Sequence, residues 1–331
     1  MKSASSILDQ LAGRVVLIVG DVMIDRYLTG SVNRISPEAP VPVVLQTAME
    51  DRLGGAANVA LNIKALGSTP LLCSVVGRDY EGERFRALLP GAELLDVGLV
   101  SSDHRQTTVK TRILGNNQQM LRVDAEDTHD LNSAETADFL KNIRRLLDSE
   151  PVEAVIFQDY NKGVLTEDVI HEVTRLAKQK GVLCTVDPKQ KNFFAFKDVD
   201  LFKPNLKEIR DSAPFPVVAQ PDSLDQASAY LQKILQNKIT MITLSEKGLY
   251  LNVENKGEVY ATIPRKVADV SGAGDTVISV ATLALAAGMD GKVMALLSNL
   301  AGGQVCEFPG VVPVNRKLLE EEIQAALATT S

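Results

Sequence analysis

Ala154-VIFQ-Asp159, the span Glu167 to Gln179, and Val182-LCTV-Asp187 decide the fold of this chain. The outer segments are short apolar runs that read as strands. The span between them carries apolar residues at helical spacing. Working outward, a helix over Ser133 to Leu147 precedes this unit, and a strand over Val199-DLFKP-Asn205 follows it. A short helix and another over Leu224 to Leu235 come next. Ile239-TMIT-Leu244, Gly248-LYLN-Val253 and Glu258-VYAT-Ile263 read as strands. Helices over Asp275 to Ala287, Val293 to Val305 and Arg316 to Leu327 finish the chain. Strands alternating with helices predict an α/β fold with a mostly parallel sheet flanked by helices.

Upstream, Arg14-VVLIVG-Asp21 is a continuous apolar run, expected to be covered on both faces. Val41-PVVL-Gln46 is a second strand, pushed toward an edge by Pro40 and Pro42. Gly54-GAANVALNIKAL-Gly67 has helical spacing, Leu71-LCSV-Val76 reads as a strand, and Glu83 to Leu89 as a short helix. Thr107-TVKTRI-Leu114 and Gln118-QMLR-Val123 form a hairpin turned by Gly115-Asn116-Asn117, with Lys110 and Arg112 on one face of its first arm. The strands at 41–46 and 107–123 fit poorly in the parallel core and are expected as a small appended β-sheet. No repeat or linker divides the chain, so residues 1–331 are expected as one domain.

The formal net charge is −7 over 331 residues, which argues against a nucleic-acid partner. No apolar run reaches the roughly 18 residues of a membrane span, so no membrane partner is expected. The N-terminal segment lacks the apolar core of a signal peptide. Cys73, Cys184 and Cys306 show neither metal spacing nor a disulfide pattern, which suits a reducing cytoplasm.

The strongest chemical signal is Asp269-Val-Ser271-Gly272-Ala273-Gly274-Asp275, which opens a long helix. Glycines there let a ligand approach the backbone, and the helix start offers N–H groups and positive dipole to an anion. Asp275 beside such an anion is either a proton acceptor or a first-turn acidic residue favouring the dipole. Gly54-Gly55-Ala-Ala-Asn58 is the second signal: glycines at a helix start, with Asn58 facing either hydroxyls or solvent. Asp21 and Asp25 follow the first strand, where open α/β sheets bind ligands; they could clamp a polyol or serve as turn residues. Asn205 and Glu208 are one helical turn apart, suiting Mg²⁺ through water or a capping box, and both can hold together. Ser245, Lys247 and Gly248 follow a strand and could wall a nucleotide pocket. Asp187-Pro-Lys189 could bring a cation to a substrate phosphate. The P-loop pattern is absent, and a G-x-G-x-x-G reading fails at Val277.

The order of these motifs resembles the ribokinase-like (PfkB) family of carbohydrate kinases over about residues 14–325. The resemblance implies a Rossmann-like core with a β-sheet lid. It implies Asp275 as catalytic base, with the backbone from Ser271 through Gly272, Ala273 and Gly274 as an anion hole. Asn205 and Glu208 match the magnesium and phosphate motif. Ser245, Lys247 and Gly248, with Asn299 on a later helix, match the ATP side. Asp21, Asp25, Asn33, Gly54, Gly55, Asn58 and Asp187 match the sugar side.

Within that family, Asn33-RISPEAPVPV-Val44, Gly54-GAANVALN-Ile63, Phe157-QDYNKGVL-Thr166 and Val186-DPKQKN-Phe193 resemble the D-glycero-β-D-manno-heptose-7-phosphate kinases. Some of those are fused to a nucleotidyltransferase; this chain resembles the single-function form. The implied reaction is phosphorylation at C1 by Mg-ATP, a step toward ADP-heptose for the lipopolysaccharide inner core. A phosphorylated substrate needs cations, and Lys110, Arg112, Arg122, Arg78, Arg105 and Lys189 are candidates. About two or three would suffice. The apolar face of Val41, Val43 and Leu45 suggests a homodimer through lid sheets. A phosphofructokinase-type kinase and a non-catalytic sugar-phosphate sensor are the competing readings.

Overall fold

A computed structural model describes residues 3–116 and 118–329. The chain opens with α1 (Ala4–Asp9), β1 (Val15–Gly20), β2 (Val22–Ile35) and β3 (Pro42–Gly55). Then come α2 (Ala56–Ala65), β4 (Thr69–Gly77), α3 (Tyr80–Leu88), β5 (Gly98–Ser102), β6 (Val109–Gly115) and β7 (Gln118–Ala125). The regular part runs α4 (Ser133–Ser149), β8 (Val152–Gln158), α5 (Glu167–Gln179), β9 (Leu183–Asp187), β10 (Leu201–Phe202), α6 (Leu206–Ser212) and α7 (Pro221–Leu235). It ends with β11 (Ile239–Thr243), β12 (Leu249–Val253), β13 (Lys256–Tyr260), α8 (Ala273–Ala286), α9 (Gly291–Val305) and α10 (Arg316–Thr329).

Among the described residues the strands form two sheets. The larger has nine strands in the order β13-β12-β11-β10-β9-β8-β1-β4-β5. It is parallel from β11 to β5 and antiparallel at β12 and β13. Successive side chains on a strand point to opposite faces. In β1, Val16 and Ile18 therefore enter the layer packed by α2, α8 and α9, while Leu17 and Val19 enter the layer packed by α4, α5 and α7. A strand covered on both faces needs an unbroken apolar run, which is what 15–19 supplies. No helix among the described residues is long and apolar enough to cross a membrane.

The smaller sheet has the order β3-β2-β6-β7 and was only half expected. The strand read at 41–46 extends to Gly55, and its antiparallel partner β2 carries no turn signal ahead of it, since Asp21 alone separates it from β1. Asp25 thus lies inside a strand rather than after one. Gly54 and Gly55 end β3, and Gly55 is also the N-cap that opens α2. The strand at 199–205 shrinks to Leu201–Phe202, and β5 was not expected. Asn117, assigned to the hairpin turn, lies outside the described residues.

A charge cluster rivets the small sheet to the body. Asp51 on β3 is buried between Arg26 (2.7 Å) and Arg84 (2.9 Å), and Arg26 also reaches Glu81 of α3 at 2.8 Å. Removing Asp51 leaves Arg26 with Glu81 alone and takes from Arg84 its carboxylate. Asp51→Ala is expected to lower unfolding stability by about 2 kcal/mol, the half-exposed Arg84 softening the loss. Urea denaturation with an unchanged m-value would check it.

Candidate active site

The carboxyl ends of β1, β8, β9 and β10 meet the first turn of α8, where open α/β sheets form their binding crevice. Asp21, Tyr160, Asp187 and Lys203 come from those strand ends, and Asp275 from the helix. The Gly272 N-cap sits at φ 82°, and a Cβ there would lie 2.8 Å from Asn58 Nδ2. Glycine at this position lets α2 and α8 come together with Asn58 beside Asp275.

Asp275 is 3% exposed and carries three donors. Asn58 Nδ2 donates to Oδ2 at 2.8 Å; Tyr160 OH and Gln158 Nε2 donate to Oδ1 at 2.6 and 3.1 Å. Burial raises its pKa to about 6, helped by the nearby Asp187 charge and opposed by Asn58, Tyr160 and Lys203. Tyr160 and Gln158 were not among the candidates, although both lie in the quoted segment 157–166. Lys203 was missed too. It is buried and pairs with Asp187 Oδ2 at 3.0 Å. Burial alone would raise the pKa of Asp187, but Lys203 and Lys189 hold it below its ordinary value.

Other expected sugar-side residues are placed unevenly. The Asp21 carboxylate accepts from the backbone N–H groups of Tyr160 (2.8 Å), Lys162 (3.1 Å) and Val164 (3.2 Å), so it holds the 160–164 loop rather than facing a free site. Asp25 is buried and ion-paired with Arg112, whose guanidinium lies 5.3 Å from the Tyr27 ring centre. A Cβ at Gly54 would sit 2.0 Å from Asp25 Oδ2, so Gly54 clears space for a protein carboxylate. Asn33 is exposed on β2, away from this cluster.

The candidate cations carry partners. Lys110 bridges Asp124 (3.0 Å) and Glu126 (3.2 Å), Arg122 pairs with Asp124 and Arg78 with Asp103. Arg105 donates to the Lys162 and His129 carbonyls. Lys189 binds Glu208 Oε1 at 2.6 Å.

On the other side of the α8 N-terminus lies a cleft of about 1290 Å³. Asn205, Ser245, Lys247, Gly248, Gly274 and Asn299, all expected toward ATP, line it with Ala273, whereas Glu208, Ser271 and Gly272, also expected there, are not in its lining. The expected backbone anion hole is partly occupied. Ser271 N donates to Asp269 Oδ1 at 2.9 Å and Ala273 N to the Val270 carbonyl at 3.3 Å. Asp269 Oδ2 also accepts from Gly310 N, so it shapes the loop before the helix. Helix-start donors at Gly274 and Asp275 remain for an anion, as at any helix N-terminus.

The proposed magnesium residues form a capping box. Asn205 Oδ1 accepts from Glu208 N at 2.8 Å, and Glu208 Oε2 accepts from Asn205 N at 2.7 Å. With Lys189 on Oε1, each of these oxygens already has one donor. Their second lone pairs leave room for a hydrated Mg²⁺ held through water.

Potassium-bound phosphofructokinase-2 from Escherichia coli superposes with a TM-score of 0.78 at 20% identity, covering 95% of this chain and 99% of that one. Arabidopsis thaliana ribokinase, bound to ribose and ATP, gives 0.72 at 18% identity, covering 94% and 99%. The fold is therefore the ribokinase-like α/β fold that the resemblance implied. The model of the pfkB family of carbohydrate kinases matches residues 14–317, and the chain belongs to that family. "Bifunctional protein HldE" of Methylobacillus flagellatus is 38% identical over 313 residues, 94% of this chain. Its namesake in Shewanella baltica is 41% identical over 312 residues, 93% of this chain. The chain spans 63% of the length of each.

Burying Asp275 has a cost with a defined pH dependence. Between its ordinary 3.8 and about 6 the folded chain binds more protons than the unfolded one. The destabilisation is therefore absent below pH 4 and complete above about pH 6. The difference in unfolding free energy between Asp275→Asn and wild type is expected to shift in the variant's favour by about 1–3 kcal/mol between pH 4 and pH 8. Calorimetry at the two pH values would check this.

Proposed function

We propose that this carbohydrate kinase transfers the γ-phosphoryl group of ATP to C1 of D-glycero-β-D-manno-heptose 7-phosphate, giving the 1,7-bisphosphate. The observation that carries the reading is Asp275. Its carboxylate sits at an α8 N-terminus that also borders the large cleft, and burial raises its affinity for a proton. The 41%-identical HldE relatives and the four heptose-kinase-like segments support the substrate.

ATP occupies the large cleft, with Ser245, Lys247, Gly248 and Asn299 along its wall. The γ-phosphate lies at the start of α8, where Gly274 and Asp275 N–H groups and the helix dipole favour its developing charge. Asp275 accepts the proton of the C1 hydroxyl as that oxygen attacks phosphorus. Asn205 and Glu208 would hold Mg²⁺ through water, and the ion supplies charge neutralisation to the phosphates when bound. Asp25, Asn58 and Arg112 form the sugar side. The four-stranded sheet acts as a lid that excludes water during transfer.

Asp275→Asn is expected to lower turnover by at least about a thousandfold while leaving ATP affinity within about twofold. Stopped assays for ADP and equilibrium nucleotide binding would separate the two. ADP release is expected with heptose 7-phosphate and not with fructose 6-phosphate, fructose 1-phosphate or ribose. Release with a fructose phosphate alone would favour the phosphofructokinase reading, which the structural neighbours keep in view.

The lid sheet also fits a homodimer interface. Leu45 is 67% exposed and Met49 55%, with Met120, Leu121 and Val123 exposed on the strand at the opposite edge. Exposed apolar side chains of this kind fit an interaction site. Leu45→Glu with Met49→Glu is expected to halve the mass seen in analytical ultracentrifugation. An unchanged mass would remove the lid from the interface.

A further inference from the structure

Asp275 has two oxygens, and the structure treats them differently. Each carboxylate oxygen offers about two lone-pair sites. Oδ1 already accepts from Tyr160 OH at 2.6 Å and Gln158 Nε2 at 3.1 Å, which fills it. Oδ2 accepts from Asn58 Nδ2 alone, at 2.8 Å, and keeps one site.

We propose that Tyr160 is a positioning residue for the transfer. By donating to Oδ1 together with Gln158, it fixes the Asp275 carboxylate so that Oδ2 is the oxygen that takes the acceptor's proton. This rests on the reading of Asp275 as base. Tyr160 reaches Oδ1 because Asp21 grips the backbone of 160 and 162, so the carboxylate after β1 sets the hydroxyl that sets the carboxylate on α8.

The electrostatic surroundings give the donor a measurable signature. Asp187 and Lys203 face Asp275 from the ends of β9 and β10, the first raising its proton affinity and the second lowering it. Lys189 lies 5.7 Å over the Tyr160 ring, and Asp187 and Asp25 act on the phenol. Burial, Asp275 and these carboxylates push the Tyr160 pKa well above its ordinary value, so the hydroxyl stays a donor throughout the working pH range. Its bond favours the charged carboxylate, and losing it must raise the Asp275 pKa further.

The test compares wild type with Tyr160→Phe and Gln158→Met, using carbon-13 NMR of labelled aspartate carboxyls. The Asp275 signal is identified by its loss in Asp275→Asn. The expected result is a titration midpoint moved upward by roughly half a unit to one unit in Tyr160→Phe, and less in Gln158→Met. With heptose 7-phosphate and Mg-ATP, kcat of Tyr160→Phe should fall at least tenfold with the KM for ATP unchanged, and the acid limb should move the same way. Unmoved midpoints in both variants, or a wild-type kcat and acid limb in Tyr160→Phe, would overturn the proposal. Full turnover in Asp275→Asn would instead sink the base reading beneath it. If Tyr160→Phe does not fold, the Gln158→Met midpoint decides.

Discussion

The structure depends on keeping one carboxylate, Asp275, out of water without leaving it unpaired. A charged group buried this deeply is tolerated only when it is hydrogen-bonded. Its three donors come from two separate places: Asn58 on α2, and Gln158 and Tyr160 at the end of β8. Satisfying them fixes how α2 packs on α8 and where the 158–164 segment lies. Asp21, buried after β1, then holds that segment through backbone N–H groups. One requirement of charge therefore ties together the strand ends, two helices and a loop.

The same principle explains why the glycines stand where they do. Gly272 clears Asn58, and Gly54 clears Asp25. Both were expected to let a ligand approach the backbone, and both also make room for a protein side chain. The close approach brings polar groups to the site, so glycine serves the ligand at one remove. The cations follow a related logic. Lys110, Arg112, Lys189 and Lys203 are each balanced by carboxylates, which keeps like charges from repelling one another.

The parallel core was legible because its period is local. The unbroken run at 15–19, the βαβ unit at 154–187 and the terminal helices state their burial in their own residues. The motif 269–275 and the pair Asn205 and Glu208 were legible for the same reason, since a helix start and a capping box are made within a few residues. The long strand Val22–Ile35 was not. It leaves β1 after a single residue, mixes Asp25, Arg26 and Gly30 with apolar positions, and gains its pairing from residues 7 to 33 positions away on β3 and 85 away on β6. Tyr160, Gln158 and Lys203 were illegible as site residues because nothing near them in sequence marks their direction.

By itself, then, the sequence determined the α/β class, the family-defining motifs and the acid at the start of α8, because backbone preference, burial period and helix-end chemistry are local properties. Only the tertiary structure decided which donors meet that acid, which carboxylates neutralise which cations, and that Asp21 serves the loop while Asp25 serves Arg112. Those outcomes depend on distances between strand ends and helices far apart in the chain, and a hydrogen bond of under 3 Å has no counterpart in sequence spacing.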